Sequence, residues 1–62
     1  MNILVEVMSL VGKPVKLTLS DGKEISGIVE DYGSLFILFL EDHNQEPRLL
    51  PLNKISEVKQ NG

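Results

Sequence analysis

The sequence predicts a mostly β fold, in which a short N-terminal helix precedes five strands that bend strongly into a small β-barrel. Residues 15–19 alternate apolar and polar side chains, which is the period of a half-buried strand. Asp21-Gly22 predicts a two-residue hairpin turn in which both residues have positive φ angles. Gly27 interrupts the second strand, where a glycine usually marks a sharp bend or a bulge, and a small closed sheet requires such a bend.

Length and composition limit what the chain can build. The 62 residues predict a single domain over residues 1–62, at a size where one hydrophobic core is only marginally sufficient. The chain has no cysteine to form disulfides, and only one Tyr and two Phe add aromatic volume. We therefore expect the core to depend on aliphatic packing and on a partner subunit. No apolar stretch approaches the roughly 20 residues of a membrane span. Met1-Asn2 and the apolar segment after it lack the basic region and the small-residue cleavage site of a signal peptide. We therefore expect a cytoplasmic protein with no membrane partner.

The N-terminal segment, residues 2–11, has features of both a helix and a strand. Its β-branched residues suit a strand, but the polar residues Asn2, Glu6 and Ser9 are spaced so that they share one helical face. Asn2 can cap the start of a helix, and Gly12 can follow its last turn. We predict a short helix that covers an open end or edge of the barrel. The apolar residues on its inner side would be Leu4, Val7, Met8 and Val11.

The run Leu35–Leu40 comprises six consecutive apolar residues and follows a predicted turn at Tyr32-Gly33-Ser34. A strand that is apolar on both faces has no side suited to solvent. Either the helix covers the second face of this strand, which would then be central, or that face is shared with another subunit. The two explanations are compatible.

The C-terminal third predicts two further strands, because short apolar patterns there are separated by turn residues. Pro51 would lie at the end or edge of the fourth strand, since proline cannot donate a hydrogen bond within a sheet. The expected order is a polar loop at 41–47, a strand at 48–50, a turn at 52–54, a strand at 55–58 and a frayed tail at 59–62.

The sequence does not predict an enzyme. Its carboxylates fall on strand exteriors and loops, and its serines have no histidine placed to act as a base. His43 is the single histidine and lies in the polar loop, whereas a metal site requires at least three converging ligands. The glycines are spread along the chain and do not form a phosphate-binding loop. We therefore expect no catalytic residues, no metal, no cofactor and no small-molecule substrate.

The charge balance weighs against attraction of nucleic acid to the whole surface, since the formal net charge is -3 and the pI is near 4.9. A local basic patch remains an alternative, and RNA binding through it would be electrostatic. Its candidate contacts are Lys13, Lys16 and Lys54. The simpler interpretation is that these lysines occupy solvated positions on the exterior of the strands.

The segment from Gly12 to Gly27 reads Gly-Lys-x-Val-x-Leu-x-Leu-x-Asp-Gly-x-x-x-x-Gly. Together with the predicted helix and five bent strands, this pattern resembles the Sm/LSm family. The resemblance runs without gaps from Leu10 to Asp42, about half of the chain, and implies an Sm-like fold, which is an SH3-like small barrel. The matching positions are Gly12-Lys13, Val15, Leu17, Asp21-Gly22, Gly27, Val29, Tyr32, Leu38, Leu40 and Glu41-Asp42.

Two motifs of that family are altered in this sequence. In the family, an Asp after the tyrosine-like position and an Asn four residues later shape a uridine pocket, but here Gly33 and Ile37 occupy those positions. An Arg-Gly pair of the second motif falls on Pro51-Leu52. These replacements cannot donate the side-chain hydrogen bonds that recognise a base or a phosphate. The resemblance therefore implies the fold strongly, ring assembly less so, and RNA binding least.

The function implied by the resemblance is that of a non-enzymatic subunit of a homo-oligomeric ring, whose partner is the protein itself. RNA, where bound, would use a surface other than the uridine pocket. Rings of this family form when the fourth strand of one subunit pairs with the fifth strand of the next. The interface residues would then be Arg48, Leu49, Leu50, Ile55, Ser56 and Val58.

An alternative function belongs to a different class, that of a protein-interaction or scaffold module without a nucleic-acid role. The acidic pI favours this alternative. Small barrels of the PRC type also end with a pattern similar to Leu50-Pro51-Leu52-x-x-Ile55. Such a module would be a monomer or a dimer, whereas a ring would have a larger native mass.

Overall fold

A computed structural model describes residues 2–61 of the chain. The described residues form one α-helix, one short 3-10 helix and five strands. In chain order these are α1 (Ile3–Leu10), β1 (Pro14–Leu19), β2 (Glu24–Tyr32), β3 (Phe36–Glu41), β4 (Arg48–Pro51), the 3-10 helix (Leu52–Lys54) and β5 (Ile55–Gln60). The prediction of a mostly β fold with a short N-terminal helix and five strands is confirmed.

The five strands form one antiparallel sheet in the order β4-β3-β2-β1-β5. The edge strands β4 and β5 are not paired with each other, so the sheet is open and a closed barrel is not confirmed. The sheet is nevertheless curled, because only residues 52–54 connect its two edges. The four Cα steps of this connection span at most about 15 Å, whereas four strand spacings in a flat sheet require about 19 Å.

The ends of α1 follow the predicted capping residues. The Asn2 side chain accepts hydrogen bonds from the backbone N–H groups of Leu4, at 3.0 Å, and Val5, at 3.4 Å. Gly12 follows the last turn with φ +82°, a conformation that favours glycine. The helical interpretation of the N-terminal segment is therefore confirmed, and its strand propensity does not prevail.

The buried face of α1 differs from the one expected. Val7 is fully buried, but Met8 is 48% exposed, so the expectation that Met8 faces the core is wrong. Ile3, Leu10 and Val11 pack against the core together with Val7. Ile3, Val7 and Leu10 lie on one face of α1, and burying them turns Met8 toward solvent.

The hairpin between β1 and β2 encloses three residues, 20–22, between the hydrogen-bonded pair Leu19 and Lys23, instead of the predicted two. The N–H of Gly22 donates to the carbonyl of Leu19 at 2.9 Å, and the N–H of Leu19 donates to the carbonyl of Lys23 at 2.8 Å. Gly22 has φ +89°, whereas Asp21 has no positive φ angle. A three-residue turn of this kind needs only one left-handed residue. The Asp21 carboxylate instead accepts a hydrogen bond from the N–H of Lys23 at 2.9 Å.

Gly27 lies where the backbones of β2 and β3 approach each other closely. A Cβ atom at Gly27 would meet the carbonyl oxygen of Leu40 and would lie 2.8 Å from the Cα atom of Glu41. Glycine is therefore required for space, not for a positive φ angle. The bulge of β2 lies instead at Glu30, which has no partner on β3. The sheet thus curls through a close approach at one residue and a bulge three residues later.

The apolar run is divided between the two sides of β3. Ile37 and Phe39 are fully buried, while Phe36 and Leu38 point outward. α1 packs mainly on β5 and β2, and β2 is the central strand. The explanation that the helix covers the second face of a central β3 is therefore wrong. The core consists of Val7, Val15, Leu17, Ile25, Val29, Ile37, Phe39, Leu50, Ile55 and Val58.

The C-terminal segment is more ordered than expected. β5 continues to Gln60, and the N–H of Asn61 donates to the carbonyl of Pro14 at 2.8 Å. The prediction of a frayed tail is therefore wrong for residues 59–61, because β1 provides the neighbouring strand. Gly62 lies outside the described residues.

Candidate functional site

The sheet ends on two different strands, and each is a candidate surface for association. β4 pairs only with β3, and β5 pairs only with β1, within residues 2–61. An edge strand directs backbone N–H and C=O groups away from its single neighbour, where they can pair with another chain. The predicted interface residues lie on these two strands.

The predicted interface residues differ in their accessibility. Leu50, Ile55 and Val58 belong to the core, so their side chains stabilise the subunit itself. The other three are exposed, and Leu49 is 66% accessible to solvent. These three are Arg48, whose guanidinium lies 3.3 Å from the Glu41 carboxylate, Leu49, and Ser56, whose hydroxyl donates to the carbonyl of Thr18 at 3.1 Å.

The three candidate lysines do not form one patch. Lys13 precedes β1 and Lys54 precedes β5, so they lie at opposite ends of the β1–β5 pair, roughly 20 Å apart. Lys16 lies between them on β1, and its ammonium group is 3.9 Å from the Glu24 carboxylate. Its cross-strand neighbour Lys59 is likewise 4.0 Å from a carboxylate, that of Glu57. This side of the sheet therefore carries mixed charge and not a basic surface.

A groove of about 410 Å³ lies on the outward side of β3, where the sequence predicted no binding site. It is formed by the end of β2, the β2–β3 turn, β3 and β4. Leu38 on β3 and Leu49 on β4 are direct cross-strand partners in it. We call this feature the β2–β3 groove. Its lining residues are Asp31, Tyr32, Gly33, Ser34, Leu35, Phe36, Leu38 and Leu49.

The backbone of the β2–β3 turn is held from two directions. The N–H of Gly33 donates to the carbonyl of Phe36 at 2.8 Å and closes the turn. The N–H of Leu52, at the start of the 3-10 helix, donates to the carbonyl of Leu35 at 2.9 Å. These bonds preform the groove, because its wall does not have to order when a ligand binds.

The groove is apolar with one charged group. Leu35 is 70% exposed, and Tyr32, Phe36 and Leu49 are exposed beside it. Of the described residues that line the groove, Asp31 alone carries a charge, and its Oδ1 accepts a hydrogen bond from the N–H of Tyr32 at 2.8 Å.

No protein-family model, curated protein or solved structure matches this chain. The altered motif positions can still be located. Ile37 is fully buried and cannot contact a ligand in the groove, while Gly33 is part of the turn. Pro51 is the cross-strand partner of Phe36 at the end of β4. None of these three positions presents a side chain that could hydrogen-bond to a base.

The part of the chain that the structure describes has neither a cluster of metal ligands nor a membrane-spanning helix. No group of three or more His, Asp or Glu side chains there could hold a metal ion. His43 is exposed in the β3–β4 loop, with φ +71°. In the same residues, no helix has both the length and the apolar character needed to cross a membrane.

Sequence reasoning located the strand under the groove but not the groove itself. The six-residue apolar run was a usable signal, because a strand buried on one side leaves alternate apolar residues on the other. Neither Leu49 nor Asp31 could be assigned to the same surface, since this depends on the pairing of β3 with β4 and on the bulge in β2.

Proposed function

We propose that the protein is a non-enzymatic subunit that assembles with copies of itself into a ring of the Sm type. In this assembly β4 of one subunit pairs with β5 of the next. The supporting observation is that the curled sheet ends on two different edges, neither of which has a second neighbour in residues 2–61. Contacts between two different surfaces of identical subunits are heterologous, and they form rings when the rotation between subunits closes.

The dimensions of the subunit also support association. Stability in a small domain is limited by the apolar area that one short chain can bury. Strand addition relies on backbone hydrogen bonds, so it does not require apolar side chains on both edges. This matters because the outward residues of β5, Ser56, Glu57 and Lys59, are polar.

The proposal predicts that blocking either edge gives monomers and that mixing the two blocked proteins gives dimers. Leu49→Lys blocks β4, and Ser56→Lys blocks β5, because lysines on edge strands disfavour pairing. Each variant retains the edge that the other has lost, so an equimolar mixture should form one interface. The native masses of the two variants and of their mixture are measured by light scattering and compared with that of the wild-type protein.

The matched control for this experiment is Ser9→Lys, which adds the same charge at an exposed position of α1 and on neither edge strand. It should retain the wild-type mass. Wild-type protein that is monomeric at high micromolar concentration would contradict self-assembly. A wild-type dimer that survives both edge variants would contradict a heterologous ring and would favour the scaffold alternative.

RNA binding, in this proposal, does not use the uridine recognition of the resembling family. Two observations support this: Ile37 is buried, and the candidate lysines Lys13, Lys16 and Lys54 are dispersed. We expect weak electrostatic binding that falls steeply as salt is raised. Titration of labelled oligo-uridine and of an unrelated oligonucleotide of equal length, at physiological salt, should give equal and weak affinities. Submicromolar binding with a preference for uridine would contradict this expectation.

The β2–β3 groove favours the second candidate function, a protein-interaction module. The two functions are compatible, because strand pairing uses the backbone of β4 and the groove lies on the outward side chains of β3 and β4. The native mass decides between a ring and a module that is a monomer or a dimer.

A further inference from the structure

We propose that the β2–β3 groove binds an apolar peptide segment of another protein, and that this segment carries a Lys or Arg beside its apolar residues. This inference goes beyond ring assembly and does not depend on it. It rests on the apolar surface of the groove, on its preformed backbone and on the sign of its charge.

Several large apolar side chains at the groove are covered by no element of residues 2–61. Tyr32, Leu35, Phe36 and Leu49 are all exposed large apolar residues, and they adjoin one groove. Contiguous apolar surface of this kind usually marks a contact for another molecule. Aromatic and aliphatic walls around a concave site suit the anchoring side chains of a peptide, which bury most of their area there.

The ring contact proposed above would reach this surface only along β4, at Leu49. When β5 of a neighbouring subunit pairs with β4, its outward residues lie beside Leu49 on the same side of the extended sheet. These residues of β5 are polar or charged, with Glu57 and Lys59 paired to each other at 4.0 Å. The groove would therefore remain available in the assembled form.

The negative charge at the groove favours a partner that carries a basic side chain. Asp31 lies in the wall, and the adjacent Glu30 is exposed. Arg48 is next to Leu49 in sequence but points to the opposite side of β4, where the Glu41 carboxylate lies 3.3 Å away. The local field is therefore negative, and a basic side chain flanking the apolar anchors would be attracted to Asp31.

The same charge argues against two other occupants. A nucleic-acid strand would bring phosphates toward Asp31, with no lysine or arginine among the described lining residues. A second copy packed groove to groove would bring two Asp31 carboxylates together, and each chain carries a net charge of -3. Both arrangements are opposed by repulsion between like charges.

The test begins with selection of peptides from a phage-displayed library of random dodecapeptides on the immobilised wild-type chain. We expect enriched sequences that combine two or more large apolar residues with a Lys or Arg. The strongest of these peptides, fluorescently labelled, then serves as the probe. Its affinity for the wild-type protein and for the variants below is measured by anisotropy, with folding checked by circular dichroism.

Three variants separate the contributions of the groove. Leu35→Asp should weaken binding at least about tenfold, because it removes an exposed apolar contact and adds negative charge to the wall. Asp31→Asn keeps an oxygen that can accept from the N–H of Tyr32, and should weaken binding about two- to fivefold while reducing its dependence on salt. The matched control, Val5→Asp, makes an apolar-to-acidic change at an exposed position of α1 and should leave the affinity unchanged.

Four outcomes would overturn the inference. No enrichment over a library panned without the protein would exclude a peptide site. Enriched peptides that lack basic residues would show that the charge of the groove has no role. A peptide affinity that is unchanged by both Leu35→Asp and Asp31→Asn would show that the peptide binds elsewhere. A fall in native mass for Leu35→Asp would show that a second copy fills the groove. Peptide binding by a monomeric wild-type protein would instead support this inference and contradict the ring. Failure of the peptide site and failure of ring assembly can therefore be distinguished.

Discussion

Replacing Gly27 with valine is expected to lower the free energy of unfolding by roughly 3 kcal/mol, and so to leave the protein only marginally folded. The cause is the Cβ atom, which would meet backbone atoms of Leu40 and Glu41. Backbone atoms in a paired strand cannot move aside as a flexible side chain can. The midpoint and slope of urea unfolding, followed by circular dichroism, measure the change.

Two further substitutions make this prediction sharper. Gly27→Ala should already produce most of the loss, because alanine has the same Cβ atom and the methyl groups of valine add less. Gly22→Asn should cost only about 1 kcal/mol, since a Cβ there meets no atom within 4 Å and Asn tolerates a positive φ angle. If Gly27→Ala and Gly27→Val unfold at the wild-type urea concentration, β2 and β3 are not in close approach at this residue.

Replacing Leu50 with lysine is expected to unfold the subunit and to abolish assembly at the same time. Leu50 is 8% exposed and belongs to the core, so a lysine there would place a charge in an apolar interior without a partner. The loss of the buried leucine alone corresponds to about 2–5 kcal/mol, which is most of the stability of a small domain. Thermal unfolding and native mass should change together.

The neighbouring substitution Leu49→Lys is the matched control for this prediction. Leu49 points outward, so the same change one residue away should keep the fold while removing the β4 contact, and it should lower the melting temperature much less than Leu50→Lys, by the contribution of assembly alone. The comparison tests the register of β4, since a shift of one residue would exchange the two side chains between core and solvent. Equal destabilisation by the two variants would contradict the register described above.

The candidate site could be predicted only in part from the sequence. The two edge strands were assigned correctly to residues within 48–51 and 55–60, because the turn residues between them mark their ends. The sequence did not show which side chains on those strands face solvent and which face the core, since Leu49 and Leu50 are adjacent and both apolar. Their sides are decided by the pairing of β4 with Ile37 and Leu38 on β3.

The sequence by itself determined the features that depend on a few neighbouring residues. Asn2 caps the helix, Gly12 follows its end and Gly22 takes the left-handed position of the first turn, because each interaction involves atoms close along the chain. The tertiary structure alone decided that Met8 faces solvent and that Asp31 and Leu49 line one groove. These outcomes depend on residues that are far apart in sequence and compete for places in one small core and one curled sheet. Local sequence patterns contain no information about that competition.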